Sequence, residues 1–218
     1  MSRAIRPTQS TCFRLIGAKL LLAAALAVAV AKLSFVGALD VAAVDSLRTH
    51  AIGWLTTIAE GVTELGSTDA ILVATAGAAV FLAARRHWRG AVAVSLSVLA
   101  TQAVVSIGKA LMSRPRPEEH AAGIDPAGFS FPSGHSASAV ALYVMLAVIA
   151  GSALRKRASA PVWAIAIGLV AMIGLSRVYL GVHYPTDVIA GWLTGGAVVL
   201  VSWALCARLP APGRVASA

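Results

Sequence analysis

Acidic side chains are scarce in this sequence: nine Asp and Glu stand against 18 Lys and Arg in 218 residues, and charged residues make up only 12% of the chain. A soluble domain carries about a quarter charged residues, so this chain has too few to solvate an ordinary surface. Cysteine is nearly absent. Cys12 and Cys206 each fall near the end of an apolar segment expected on the cytoplasmic side, which argues against a structural disulfide. Two cysteines also supply too few ligands for a zinc-type centre, so no metal site is expected. Repeats and low-complexity linkers are missing, and a single domain over 1–218 is expected. The formal charge of +9 would suit nucleic acid only if the basic residues shared one soluble face. They stand instead in short runs between apolar stretches, as membrane flanks do, so no nucleic-acid partner is expected.

What is abundant is apolar: 58% of the residues are hydrophobic, and Gly and Ala are frequent, as suits helices packed closely in lipid. A spanning helix needs roughly 20 mostly apolar residues. Six segments approach this, at about 14–36, 69–85, 90–110, 136–153, 161–180 and 188–207. The expected fold is all-α, a polytopic membrane helical bundle with about six transmembrane helices. Ser67, Thr68 and Asp69 supply a helix cap for the short second segment. Residues 38–66 differ, mixing Val41, Val44, Leu47, Ile52, Leu55 and Ile58 with Asp40, Asp45, Arg48, His50, Glu60 and Glu64. They read as one or two amphipathic helices at the membrane interface. The first segment, with Arg3, Arg6 and Arg14 before an apolar core and small residues at 27–31, also has features of a secretory signal. Apolar character resumes after Lys32, which favours retention as a span.

The basic residues set an orientation. Twelve of the 18 flank the chain ends and the linkers after the second and fourth segments, a side assigned to the cytoplasm. Both termini are then cytoplasmic. The segments at about 111–135 and 181–187 face the exterior or periplasm of a bacterial inner membrane. The remaining six are Lys32, Arg48, Lys109, Arg114, Arg116 and Arg177, and four of these crowd around the two outer segments.

Singly, these polar residues have bland explanations. Lys109 can snorkel from a helix end, Pro132-Ser133-Gly134 can be a turn and cap, and Asp187 can complement a helix start. Together they converge on one membrane face from four different spans, which a bundle achieves only in its interior or at a shared mouth. Lys109, Arg116 and Arg177 suit a phosphate dianion, and the two arginines can each bind two oxygens. Backbone N–H groups at Ser133 and Gly134, opening a helix, can donate to the same anion. One of His135 and His183 can attack phosphorus while the other protonates the leaving oxygen, and Asp187 can orient the attacking imidazole. Positive charge from side chains does the work a divalent metal does elsewhere, so no cofactor is called for.

The same residues resemble the type 2 phosphatidic acid phosphatase family. Lys109 through Pro117 looks like its KxxxxxxRP motif, Pro132-Ser133-Gly134-His135 like its PSGH, and Ser176 through Asp187 like its SRxxxxxHxxxD. The three occur in the family's order, cover about 25 residues and depart at no motif position. The resemblance implies a metal-independent phosphatase working through a phosphohistidine. His183 would be the nucleophile, His135 the general acid and Asp187 the partner of His183. Lys109, Arg116, Ser133, Gly134 and Arg177 would hold the phosphate. Arg114 is an extra cation outside the motif, read either as assisting the site or as lining its mouth. Membrane members act on phosphatidic acid, phosphatidylglycerol phosphate, isoprenyl diphosphates such as undecaprenyl diphosphate, or lipid A. The expected partners are a lipid phosphate or diphosphate substrate and the bilayer, with an isoprenyl diphosphate placed first because an outward site suits a carrier lipid after delivery. A lipid transporter would also place polar residues at a bundle mouth, but the chain shows no inverted repeat of broken helices. A scaffold without catalysis is disfavoured because every motif position is filled.

Overall fold

A computed structural model describes residues 34–118, 127–154 and 156–209, and among these all regular structure is helical. The helices are α1 (Ser34–Thr49), α2 (Gly53–Glu64), α3 (Thr68–Ala84), α4 (Trp88–Met112), α5 (Gly134–Ala153, with a π-helical stretch at Val140–Val144), α6 (Lys156–Tyr179) and α7 (Pro185–Cys206).

Local chemistry explains the boundaries. Ser67 caps α3, its hydroxyl accepting from the Ala70 N–H at 3.3 Å, with Asp69 in the first turn. Helix α4 stops at Ser113, which adopts a left-handed conformation and returns its N–H to the Lys109 carbonyl at 2.9 Å. Helix α7 opens with Pro185 in its first turn, and Asp187 accepts from the Tyr184 N–H at 2.9 Å, closing a capping box.

By length and composition, four helices among the described residues can cross a membrane: α4, α5, residues Ser159–Tyr179 of α6, and α7. A fifth crossing is available if α2 and α3 are taken together, bent by 46° at the Leu65–Ser67 turn. Six spans are therefore not all found among the described residues. The part of the 14–36 segment before Ser34 lies outside them, and α3 alone is 17 residues long. The 38–66 stretch forms two helices, and each buries one face in the bundle. Val44 and Asp40 of α1 and Ala59 and Thr63 of α2 are buried. Asp40, read from sequence as part of an interfacial polar face, is inside the protein.

Helix α5 lies at the centre. It packs on α4, α6 and α7, and its Leu142 and Met145 join Val94 and Val98 of α4, Ile71 of α3 and Val199 of α7 in the main apolar core. Contact between α5 and α7 is backbone-close. A Cβ added at Gly191 would sit 2.6 Å from the Ser133 carbonyl oxygen, and one at Gly195 would collide with the Ala137 carbonyl oxygen. Small residues allow this approach, as in other lipid-embedded helix pairs. It brings the first turn of α7 against the start of α5, where the Ser133 N–H donates to the Asp187 carbonyl at 3.0 Å. Cys206 is a buried free thiol in the core; Cys12 lies outside the described residues.

Candidate active site

The loop after α4, the start of α5, the α6–α7 turn and the end of α2 meet at one end of the bundle. The chain folds back after α6 because Gly181 takes a left-handed φ of 70° and the Val182 and His183 N–H groups both return to the Arg177 carbonyl at 3.2 Å. His183 is thereby tucked in, only 2% exposed.

Its two ring nitrogens have different surroundings. Nε2 lies 3.2 Å from Nη1 of Arg116, and Nδ1 lies 3.4 Å from Oδ2 of Asp187. A guanidinium can only donate, so Nε2 accepts and keeps its lone pair, while the Nδ1 proton faces the carboxylate. Burial pushes the His183 imidazole down from an ordinary 6.5 to about 4; the hydrogen bond and charge of Asp187 pull it up, and Arg116 and Arg177 push it further down. The ring is therefore neutral at pH 7.

Arg116 is held by three carbonyls, donating to Val182 at 2.8 Å and to Gly128 and Ala127 at 3.0 Å. Arg177, 6% exposed, donates through Nη1 to Thr63 of α2 at 2.8 Å, and its buried Nε has no hydrogen-bond partner among the described residues. Lys109 donates to the Phe129 carbonyl and lies within electrostatic reach of Arg116, Arg177 and Asp187. His135, in the first turn of α5, rests against Gly66, where an added Cβ would lie 3.4 Å from the ring's Cδ2. Arg177, His183, Arg116 and Lys109 all act on it electrostatically. The sequence-derived residues thus gather in one place, with one difference of detail. The Ser133 N–H is already used by Asp187, so at this turn the N–H of Gly134 and the Ser133 hydroxyl, which accepts from the Ser136 hydroxyl at 3.0 Å, remain for an anion.

The structure adds residues that the motif spacing did not single out. Ser130, fully buried, donates to Oδ2 of Asp187 and lies 3.4 Å from Nδ1 of His183. Arg114 donates to Asp187 Oδ1 at 2.7 Å, to Thr186 Oγ1 at 2.8 Å and to Asp40 Oδ2 at 2.8 Å, with its guanidinium 4.2 Å from the Tyr184 ring centre. Burial lowers the Arg114 pKa, but the two carboxylates outweigh it and hold the group above the usual guanidinium range. Thr63, Asp40 and Thr186 complete the surroundings. The sequence flags Arg114 only as an extra cation beside the first motif and Asp40 only as a polar residue of the 38–66 stretch.

Such a cluster, a neutral imidazole whose unprotonated Nε2 faces cations and which is backed by a carboxylate, is suited to phosphoryl transfer. Comparison with known proteins agrees in kind. Residues 90–210 match the family model described as PAP2 superfamily. Phosphatidylglycerophosphatase B of Bacillus subtilis (strain 168) is 33% identical over 147 residues, which is 65% of this chain and 70% of that protein. Undecaprenyl-diphosphatase of Sulfolobus acidocaldarius is 34% identical over 79 residues, 35% of this chain and 34% of the relative. The crystal structure of a transmembrane PAP2 type phosphatidylglycerolphosphate phosphatase from Bacillus subtilis superposes with a TM-score of 0.75 at 25% identity, covering 89% of this chain and 96% of that one.

Proposed function

The chain belongs to the PAP2 superfamily, and from that premise we propose that it is a membrane lipid phosphatase in which His183 attacks the phosphate of a phosphorylated lipid. The observation that carries this reading is the hydrogen bonding of His183: its Nε2 lone pair points at the Arg116 cation while Nδ1 faces Asp187.

In the proposed first step, Nε2 of His183 forms a bond to the terminal phosphorus as the bond from that phosphorus to the leaving oxygen breaks, the bridging oxygen of a lipid diphosphate or the ester oxygen of a lipid monophosphate. His135 gives its proton to that oxygen. Arg116, Lys109 and Arg177, whose Nε is an unused buried donor, take up the charge on the phosphoryl oxygens with Gly134 and Ser133. Asp187 stabilises the positive imidazole of the phosphohistidine. In the second step His135 takes a proton from water, the hydroxide oxygen bonds to phosphorus, and the bond to His183 breaks to release inorganic phosphate. The side-chain cations supply the charge, so turnover should persist in a chelator.

For the lipid we place an isoprenyl diphosphate first, supported by the likeness to an undecaprenyl-diphosphatase. Phosphatidylglycerol phosphate is the second reading, favoured by likeness in both sequence and fold to the Bacillus phosphatases. The site is proposed to face the exterior or periplasm of a bacterial inner membrane, with both termini cytoplasmic. At the opposite end of the bundle from the site, Arg89 of α4 donates to the Leu209 carbonyl, with Arg85 and Arg86 shortly before Arg89 in the chain and Arg208 directly before Leu209, the side expected to be cytoplasmic.

Purified protein in detergent, given undecaprenyl diphosphate, phosphatidylglycerol phosphate and phosphatidic acid in turn with excess chelator, should release phosphate fastest from the first. His183→Ala should release essentially none from any of them. Faster turnover of phosphatidylglycerol phosphate would reverse the order of substrates. Phosphate release by His183→Ala at the wild-type rate would remove the nucleophile assignment.

A further inference from the structure

Two carboxylates, not one, surround Arg114. Asp187 is fully buried and Asp40 is 2% exposed, and the guanidinium divides its two ends between them, at 2.7 and 2.8 Å. Asp40 does more than receive Arg114. Its Oδ1 accepts from the Thr186 N–H at 3.1 Å, and its Oδ2 accepts from the Thr186 hydroxyl. Thr186 stands in the first turn of α7, where N–H groups have no partner within the helix. A carboxylate from α1 therefore caps α7 from outside, one residue before Asp187. Helix α1 lies entirely before residue 90, outside the family match.

We infer that Asp40 and Arg114 form a charge-balanced positioning pair for Asp187. Arg114 holds Oδ1 of Asp187 so that Oδ2 is presented to His183, and Asp40 holds Arg114 and cancels its charge. The inference rests on the reading of His183 as nucleophile. The electrostatic reason is direct. Asp187 can stabilise a positive His183 only as far as its own charge is not neutralised by something else. Arg114 alone would neutralise it; Arg114 paired with Asp40 is neutral overall and serves as a rigid hydrogen-bond donor. Buried charge clusters of this kind are held together only when every member is paired, and here each is. The side-chain hydrogen bonds of Arg114 and Asp40 run to each other, to Thr186 and to Asp187, so their effect passes through Asp187.

The charged and titratable groups around His183 come from each neighbouring element: Asp187 on α7, Arg116 on the loop after α4, Arg177 on α6 with Glu64 of α2 acting on it, and His135 on α5. Asp40 of α1 and Arg114 act one contact further out. Removing them singly changes the local charge in opposite directions, and removing both leaves it unchanged. The acid limb of kcat at saturating substrate, which reports groups in the enzyme–substrate complex, reads this. Asp40→Asn leaves Arg114 uncompensated, disfavours the imidazolium, and should move the limb about one pH unit lower with kcat down about tenfold and KM little changed. Arg114→Gln frees the charge of Asp187 and should move the limb higher by a similar amount. The double variant Asp40→Asn/Arg114→Gln should return the limb to the wild-type position.

A structural role alone would lower kcat in all three without moving the limb, or leave the double variant worse than either single, and either outcome would overturn the inference. Should Asp40→Asn not be recovered as a monodisperse protein, the upward shift in Arg114→Gln decides alone: a limb that stays in place overturns the pair. His183→Ala is run alongside. If that control is active, the reading of the site has failed. If it is inactive and the limbs do not move, only the positioning pair has failed.

Discussion

At the scale of single residues, the roles proposed for His135 and His183 make opposite demands on a proton. His183 needs its Nε2 lone pair at the moment of attack; His135 needs a proton to give at the same moment. As general acid, His135 matters in proportion to the basicity of the leaving oxygen. His135→Ala should slow hydrolysis of a lipid phosphate by about 10²–10⁴-fold, and an aryl phosphate with a good leaving group far less. Equal losses on the two substrates would make His135 a binding residue. Six of the proposed site residues, Lys109, Arg116, His135, Arg177, His183 and Asp187, stand out in the sequence because His, Lys, Arg and Asp at span ends cost free energy unless they have a task, whereas Ser133 and Gly134 stand out only as a turn before a helix. Ser130 was not singled out, because a serine in a loop is ordinary, and Arg114 was noted only as an extra cation whose partners the sequence does not name. Only their contacts to Asp187 distinguish them.

Among the helices, the closeness of α5 and α7 holds the site in register. Gly191 faces the Ser133 carbonyl and the Ser136 Cβ, and a larger side chain must push α5 away just where Ser133 meets Asp187. Gly191→Leu should destabilise the protein by about 1–3 kcal/mol, seen as a lowered thermal midpoint in detergent, and should reduce turnover although no site side chain is altered. An unchanged midpoint and rate would mean that the two helices are free to separate. Helices α4 to α7 were readable from apolar length to within a few residues. Helix α3 also lies within a residue of the 69–85 segment, but its pairing with α2 as one bent crossing was not readable, because α2 has 12 residues and α3 has 17, each short of a span. Their partnership depends on a tight turn at Gly66, where any Cβ would lie 2.5 Å from Ile173 of α6. No periodicity within either helix announces that contact.

For the whole molecule, burying a neutral histidine links stability to pH. The folded value of His183, about 4, is below its ordinary 6.5, so the unfolded chain takes up the proton first as pH falls. The contribution of this group is complete above pH 6.5 and is lost as pH falls through about 4. Thermal midpoints in detergent should drop over that window, and His183→Asn should flatten the drop; an equal drop in the variant would assign it to other groups. Orientation is also a property of the whole chain. With Ala121→Cys, a membrane-impermeant thiol reagent should label intact cells, and protection at that position would turn the site to the cytoplasm.

Composition and spacing by themselves determined that the chain is helical and apolar enough for a membrane and that it carries three polar motifs resembling those of one family, since apolar length and the cost of stray charge are local properties. The tertiary structure alone decided that Asp40 belongs to the site, that Arg114 serves two carboxylates, and that α2 reaches Arg177 through Thr63. These depend on residues 70 or more positions apart meeting in space, and nothing in the local free energy of either segment records the meeting.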